Sequence, residues 1–159
     1  MKAIIITSIF DPTEAVEKFA KKTDYKVYVV GDKKTPSNWN CSGVNHISVD
    51  HQQNSNYYLS KVLPYNHYCR KMLGYLEAIK DKAEVIYDTD DDNIPYENWN
   101  FPDFIGNFDN LNQEGFINIY QLFTEHKIWP RGLPLRLINK DFQFEENIVN
   151  KLSSVGSKV

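Results

Sequence analysis

The sequence Lys2-Ala3-Ile4-Ile5-Ile6-Thr7 is apolar and β-branched on both faces, a pattern typical of a strand buried inside a parallel sheet. A short helix is predicted next, because Asp11 and Pro12 form an N-terminal capping signal and Glu14 follows three residues after the cap. Residues 25–30, Tyr-Lys-Val-Tyr-Val-Val, predict a second strand. A strand, a helix and a strand within about thirty residues form a right-handed βαβ unit. The sequence therefore predicts an α/β protein with three layers, α/β/α, around a mostly parallel sheet.

Further along the chain, helical and strand patterns alternate. Asn66 is a candidate N-cap for a helix whose apolar residues recur at helical spacing and predict its buried face. These apolar residues are Tyr68, Met72, Tyr75, Leu76 and Ile79. The other predicted elements are strands at 44–49, 83–87 and 116–123, an exposed loop at 51–56 and a closing helix at 142–152.

Length and composition suit a single globular domain, since 42% of the 159 residues are hydrophobic and 25% are charged. The longest apolar run, residues 3–6, is too short to cross a bilayer, and no secretory cleavage signal follows it. Cys41 and Cys69 lack metal-ligand spacing and are expected to be reduced thiols. We therefore expect a cytoplasmic protein with no membrane span, and the net charge of −3 argues against a nucleic-acid partner.

The net charge hides a strong local division. Residues 81–109 contain nine acidic side chains against one base, Lys82, and carry a charge of −8. The rest of the chain has 12 acids against 17 bases and carries +5. The sequence thus predicts an acidic site set in a basic body.

The motif Asp88-Thr89-Asp90-Asp91-Asp92-Asn93 follows the strand predicted at 83–87. Each close pair of its carboxylates repels by about 1–3 kcal/mol at an effective dielectric of about 20. The ordinary interpretation is an acidic turn that relaxes into water. The position favours a ligand site instead, because open α/β sheets bind ligands at the carboxyl ends of their strands. Asp88, Asp90, Asp91 and Asp92 are therefore candidate ligands of Mg²⁺ or Mn²⁺, whose remaining ligands are water and phosphate oxygens.

Two other chemistries use acidic motifs of this kind. A calcium loop needs Gly at its sixth position and Glu at its twelfth, where this chain has Asn93 and Trp99, so that interpretation fails. A phosphohydrolase with an aspartyl nucleophile needs an Asp-x-Asp after a strand, usually the first strand of its domain. A metal-dependent phosphohydrolase therefore stays as a less favoured alternative.

Basic residues near a predicted helix start suggest the second half of the site. Arg70 and Lys71 oppose the helix dipole there, and a bound diphosphate would explain them better than solvation alone. Asp32, after the second strand, suits either a nucleoside hydrogen bond or a turn cap. Arg131, between Pro130 and Gly132, suits either a ligand contact or a turn.

Several of these segments together resemble the STELLO-like glycosyltransferase family, whose catalytic region has the GT-A fold. The resemblance covers most of residues 3–135. The matching segments are Thr7-Ser8-Ile9 with Pro12-Thr13, Gly31-Asp32 with Lys34-Thr35-Pro36 and Trp39, Leu63-Pro64-Tyr65, Tyr68 with Arg70-Lys71, Gly74-Tyr75 with Ala78-Ile79, residues 87–92, and Trp129-Pro130-Arg131-Gly132-Leu133-Pro134.

The resemblance implies a Rossmann-like GT-A domain that binds a nucleotide sugar, UDP-linked by preference, and transfers the sugar to an acceptor with the help of Mn²⁺ or Mg²⁺. It places Thr7, Ser8 and Asp32 by the nucleoside, and Arg70 or Lys71 by the diphosphate. Asp90 and Asp92 become the Asp-x-Asp metal motif with Asp88 and Asp91 nearby, and Arg131 lies near the sugar or the acceptor. Asp103, Asp109 and Glu125 are undiscriminated candidates for the catalytic base.

One GT-A-like domain is expected over residues 1–159, with residues 1–93 as the nucleotide-sugar and metal half and 94–159 as a short acceptor half. GT-A domains are usually longer, so this chain is expected to be a minimal or truncated version. The acceptor, a glycan, protein or small molecule, is unspecified, and a homo-oligomer would be one way to complete its site. A nucleotide-sugar-binding module without transfer activity is the main alternative.

Overall fold

The computed structural model describes residues 1–101, 106–109, 115–141 and 149–152. By its internal contacts the chain divides into two compact units, residues 1–100 and residues 101–157. The helices and strands of the first unit are β1 (Lys2–Thr7), α1 (Glu14–Ala20), β2 (Tyr25–Val30), β3 (Val44–Ile47), α2 (Val49–Asn54), α3 (Tyr58–Val62), α4 (Lys71–Lys80) and β4 (Val85–Asp88).

The first unit contains a parallel four-stranded sheet in the order β3-β2-β1-β4. β1 is an inner strand, with Lys2 paired with Tyr25 on one side and with Val85 on the other. Residues 3–6 are fully buried, as their uninterrupted apolar run predicts for a strand covered on both faces. The predicted α/β fold with a parallel sheet is confirmed, and the architecture is Rossmann-like.

Alternate residues of the strands build two separate cores. On one face, Ile4 and Ile6 pack with Val27 and with Val16 and Phe19 of α1. The opposite face is formed by Ala3, Ile5, Tyr28, Val30, Ile47 and Ala78 of α4. Helices on both faces of one sheet confirm the three predicted layers.

Gly74 allows α4 to pack unusually close to the sheet. A Cβ at this position would lie 2.6 Å from Ile5 Cγ2 and 2.8 Å from Val30 Cγ2. The buried face of α4 is consequently formed by Leu73, Gly74, Glu77 and Ala78. The buried face predicted from apolar spacing is only partly right: Tyr75 packs against this core, but Tyr68 is 77% exposed and Met72 and Ile79 are also exposed.

Two helix starts differ from their predictions. The cap of α1 is Thr13 rather than Asp11, because the Thr13 hydroxyl accepts a hydrogen bond from the Val16 N–H. His67 rather than Asn66 caps the 3₁₀ turn that precedes α4. Asn66 instead adopts a left-handed backbone conformation, with φ of 54°.

Two segments that were predicted as a loop and as a strand are helical in the structure. The loop predicted at 51–56 is largely helix α2, which starts where the Ser48 hydroxyl accepts the His51 N–H. In the second unit, the strand predicted at 116–123 is absent, and residues Ile119–Leu122 form a 3₁₀ helix capped by the Asn118 side chain. In both segments a polar side chain caps the first turn, and this local hydrogen bond favours a helix.

The second unit contains an antiparallel pair, β5 (Gly106–Asp109) with β6 (Val149–Leu152), and a further 3₁₀ helix at Leu135–Leu137. Residues 142–148 of the predicted closing helix lie outside the described residues, and 149–152 form a strand rather than a helix. Asn118 is buried, and its side-chain amide donates a hydrogen bond to the Ile128 carbonyl at 2.8 Å. This bond joins the two ends of the segment 118–128.

Across the described residues, the helices are all too short or too polar to cross a membrane.

Candidate functional site

The carboxyl ends of β1, β2 and β4 share one edge of the parallel sheet. A cavity of about 250 Å³ opens at this edge beside the ends of β1 and β2. Five of the residues predicted for the site line this cavity, namely Thr7, Ser8, Asp32, Arg70 and Asp91. Lys71 lies at the same edge, since it is hydrogen-bonded to Asp88 at the end of β4.

Asp32 closes the turn that follows β2. Its carboxylate accepts the N–H of Lys33 at 2.7 Å and the N–H of His67 at 3.3 Å. The side chain is nearly buried, and its residue is 7% exposed. Asp32 thus caps the turn, one of the two roles that the sequence left open, and joins the β2 turn to the segment before α4. Its carboxylate also lies on the cavity wall.

Ser8 connects the end of β1 to the acidic loop. Its hydroxyl donates to Asp91 Oδ2 at 2.5 Å and accepts the N–H of Phe10 at 3.2 Å. The Thr13 hydroxyl donates to the Asp91 carbonyl at 2.5 Å. Asp91 is therefore held by its side chain and its backbone, and the hydroxyl of Ser8 positions this carboxylate at the cavity.

Lys71 is the internal counter-ion of the acidic motif. Its ammonium donates to Asp88 Oδ1 at 2.6 Å, to Asp90 Oδ1 at 2.9 Å and to the Thr89 carbonyl at 2.9 Å. The Lys71 side chain is 9% exposed, whereas those of Asp88 and Asp90 are 54% and 67% exposed. All three N–H donors of the ammonium are engaged within the loop, so Lys71 offsets part of the negative charge of the acidic motif at Asp88 and Asp90.

The same contacts shift the titration of two groups. Burial lowers the pKa of Lys71, but the hydrogen bonds to Asp88 and Asp90 outweigh it and leave this pKa above its ordinary value. Tyr75 donates its hydroxyl to Asp88. Burial and this hydrogen bond raise the pKa of Tyr75 far above its ordinary value. Lys71 is consequently charged and Tyr75 neutral throughout the physiological range.

Arg70 is built into the interior of the first unit. The residue is 1% exposed, and Nε donates to Gln52 Oε1 at 2.6 Å. Its two remaining nitrogens donate to the carbonyls of Leu63 at 2.8 Å and Ser60 at 3.5 Å. The guanidinium also lies 4.1 Å from the Tyr65 ring centre. This side chain joins α2, α3 and the start of α4, a structural role that the sequence did not indicate.

The four aspartates of the acidic motif do not converge on one point. Asp88 and Asp90 face Lys71, Asp91 faces Ser8, and the Asp92 side chain is exposed. Within the described ranges, no group of three or more His, Cys, Asp or Glu side chains is arranged to hold a metal ion. Asp90 and Asp92 are both exposed, so their carboxylate oxygens are chemically suited to Mg²⁺ or Mn²⁺, which take one or two carboxylates and complete their shells with phosphate oxygens and water.

Arg131 belongs to the second unit, where it is exposed in a turn between Pro130 and Gly132. Gly132 has φ of 91°, the left-handed conformation that this turn requires. Among the candidate bases, Glu125 is exposed in the second unit, Asp109 ends β5, and Asp103 lies outside the described residues.

Several cavity residues were missed by the sequence interpretation. Lys34, His67, Tyr68 and Phe10 also line the cavity. The rings of His67 and Tyr68 are stacked, with centroids 4.7 Å apart. Exposed aromatic rings at a cavity rim suit stacking on a planar ligand. Asn66, which directly precedes His67, has a left-handed backbone conformation. Asparagine favours this conformation in turns, so Asn66 was the available sequence signal for a turn here.

No family model matches the chain. Its curated relatives include the probable glycosyltransferase STELLO2 of Arabidopsis thaliana, which is 30% identical over 154 aligned residues. The probable glycosyltransferase STELLO1 of the same plant is 29% identical over the same length. Each alignment covers 87% of this chain and 20% of the relative, so the chain spans about a fifth of their length. The chain is therefore STELLO-like, related over most of its own length to one part of these probable glycosyltransferases.

Proposed function

We propose that this protein is a glycosyltransferase that binds a nucleoside diphosphate sugar, UDP-linked by preference, at the carboxyl edge of the parallel sheet. The observation that carries the proposal is the cavity beside β1 and β2, into which the acidic loop directs Asp91. The similarity to relatives described as probable glycosyltransferases supports the reaction class. The donor, the metal and the acceptor belong to the proposal.

The nucleoside is proposed to lie in the cavity. Asp32 supplies a carboxylate acceptor for an N–H or a ribose hydroxyl, and Thr7 supplies a hydroxyl at the end of β1. The stacked rings of His67 and Tyr68 offer a flat apolar surface for the base. A nucleoside has both a planar base that can stack on these rings and ribose hydroxyls that can donate to Asp32.

A divalent cation, Mn²⁺ or Mg²⁺, would be held by Asp90 and Asp92 and would neutralise the diphosphate as it leaves. Lys71 keeps Asp90 in place through Oδ1 and leaves most of this side chain exposed to solvent. Ser8 holds Asp91 and thereby fixes the loop between these two carboxylates. The chain's own contribution is to keep the acidic loop ordered before the donor arrives.

In the transfer itself, the bond between the anomeric carbon and the diphosphate oxygen breaks, and the nucleoside diphosphate leaves with the electron pair. The acceptor hydroxyl oxygen forms the new bond to the anomeric carbon. Its proton passes to a general base.

Calorimetric titration of UDP, with Mn²⁺ and with a chelator, tests the donor and metal parts of the proposal. We expect metal-dependent binding to the wild-type protein and its loss in Asp90→Ala and in Asp92→Ala. Asp24→Ala is the matched control, because Asp24 is an exposed aspartate before β2, at the opposite edge of the sheet. The absence of UDP binding under both conditions would contradict the proposal.

A second assay separates an enzyme from a binding module. A transferase without its acceptor is expected to hydrolyse a UDP-sugar slowly to UDP. Binding of UDP without any hydrolysis or transfer would identify a nucleotide-sugar-binding module instead. Release of inorganic phosphate from simple phosphate esters would point to a phosphohydrolase.

A further inference from the structure

Lys34 differs from the other cationic residues at the edge of the sheet. The Arg70 guanidinium and the Lys71 ammonium, which the sequence assigned to a diphosphate, are buried and hydrogen-bonded within the protein. Lys34 lines the cavity and is exposed. In the part of the chain that the structure describes, its side chain has no hydrogen bond or ion pair, so its charge is available to a ligand.

The backbone around Lys34 is fixed by its neighbours. The Thr35 N–H donates to the Asp32 carbonyl at 2.8 Å, and the Asp32 N–H donates to the Thr35 hydroxyl at 2.8 Å. The same hydroxyl donates to the Ser8 carbonyl at 2.8 Å. Lys34 therefore extends from an ordered turn tied to the end of β1, and only its flexible side chain has to be ordered when a ligand binds.

The carboxylates of the cavity favour a cation at this position when the ligand is an anion. Asp32 and Asp91 place two carboxylates on the cavity wall. Hydrogen bonds from Lys33 N–H, His67 N–H and the Ser8 hydroxyl stabilise these carboxylates but supply no positive charge. These carboxylates would repel phosphate oxygens entering beside them, and the exposed ammonium of Lys34 can offset this repulsion in addition to the buried Arg70 and the proposed metal ion.

We propose that Lys34 is the residue that contacts the phosphate groups of the nucleotide in this cavity, in place of Arg70 and Lys71. The inference rests on the proposed nucleotide site and identifies a specificity determinant within it, the group that distinguishes a phosphorylated nucleoside from a free one. Lys33 does not line this cavity, and its ammonium lies 4.2 Å from the centre of the Tyr65 ring. Adjacent lysines of equal charge thus have different roles.

The test compares Lys34→Met with Lys33→Met, which removes the same charge one residue away. UDP and uridine are titrated into each protein by calorimetry. We expect Lys34→Met to bind UDP about tenfold more weakly, the effect of losing about one charge-assisted hydrogen bond, and to bind uridine within about twofold of the wild type. Lys33→Met is expected to bind both ligands within about twofold of the wild type, and Lys34→Arg to retain most of the UDP affinity.

Three results would overturn the assignment. Equal loss of UDP affinity in Lys33→Met and Lys34→Met would mean that only net charge matters. Equal loss of UDP and uridine affinity in Lys34→Met would indicate a packing role. If the wild-type protein binds neither UDP nor uridine, the proposed nucleotide site fails and the Lys34 assignment fails with it, whereas the first two results leave the nucleotide site standing.

Discussion

The Lys71 ammonium lies 2.6 Å from Oδ1 of Asp88, so the first residue of α4 is joined to the last residue of β4. The same ammonium holds Asp90 at 2.9 Å. One buried cation therefore fixes the acidic loop to the α/β core and offsets the repulsion between two of its carboxylates.

Replacing Lys71 with methionine tests this role. Lys71→Met keeps the length of the side chain but leaves Asp88 and Asp90 without their counter-ion, and both acids can still reach water. We expect the free energy of unfolding to fall by about 2 kcal/mol, less than for a fully buried pair. Urea unfolding measures the change. Lys61→Met, at an exposed position of α3, is the control and should change stability by less than about 0.5 kcal/mol. Equal effects of the two substitutions would contradict the counter-ion role.

Arg70 provides a second test, since a structural and a ligand-binding arginine respond differently to lysine. Arg70→Lys keeps the charge but cannot reproduce the three hydrogen bonds to Gln52, Leu63 and Ser60. We expect a loss of about 2–4 kcal/mol in the free energy of unfolding, because buried carbonyl and amide groups lose their donors. Urea unfolding and UDP titration are measured on the same protein. Full stability with lost UDP affinity would show that Arg70 acts on the ligand.

Ser8 and Asp91 are expected to be coupled. Their hydrogen bond of 2.5 Å spans 83 positions of sequence and has a charged acceptor. A double-mutant cycle with Ser8→Ala and Asp91→Asn should give a coupling energy of about 1–2 kcal/mol in urea unfolding. UDP affinity should also fall in each single variant, since either change releases the acidic loop. Additive effects on stability would contradict a direct interaction.

The sequence predicted the fold well because its signals are local. The uninterrupted, β-branched apolar run of residues 3–6 favours a strand buried on both faces, and the structure has that strand. The same reasoning predicted a cavity at the carboxyl ends of the strands, because parallel strands end at the same edge of a sheet, and the structure has a cavity there. Helix starts were less certain, because Asp11 and Thr13 are both good capping residues and only the hydroxyl of Thr13 is placed to accept the Val16 N–H.

Residue roles within the site were harder to predict, because they depend on distant partners. Arg70 is 18 residues from Gln52, and nothing near Arg70 in sequence indicates that it is buried. The Lys71 interaction with Asp88 and Asp90 similarly requires knowledge of how α4 packs on β4. The packing face of α4 was also predicted only in part, because Gly74 and Ala78 allow close approach to the sheet and large apolar residues do not.

The close packing of α4 leads to another prediction. Gly74→Ala would place a methyl group 2.6 Å from Ile5 Cγ2, so the helix or the strand must shift. We expect destabilisation by about 1–3 kcal/mol, although alanine favours helix more than glycine does. Urea unfolding of Gly74→Ala, Ile5→Ala and the double variant identifies the cause. The double variant should lose less than the two single losses added together, because Ile5→Ala removes the nearer of the two clashing methyl groups, and Val30 Cγ2 at 2.8 Å remains. Strict additivity would rule out a clash with Ile5.

Asp81 makes the free energy of unfolding depend on pH in the acidic range. The Asp81 carboxylate accepts hydrogen bonds from the ammonium of Lys26 and from the Tyr28 hydroxyl at 2.6 Å, and these lower its pKa below the ordinary value. A group whose pKa is lowered by folding stabilises the protein above the pKa of the unfolded chain, about 3.9 for aspartate. This contribution is lost as the pH falls through the lowered pKa of the folded state.

Asp81→Asn should therefore be less stable than the wild type at neutral pH, by about 1 kcal/mol for the weakened hydrogen bonds. The difference should shrink below about pH 4, where the wild-type carboxylate becomes protonated as well. Urea unfolding at several pH values between neutral and acidic measures both proteins. Asp24→Asn, an exposed aspartate just before β2, should follow the wild-type curve. A difference between Asp81→Asn and wild type that stays constant with pH would mean that the ionised carboxylate contributes nothing beyond its shape.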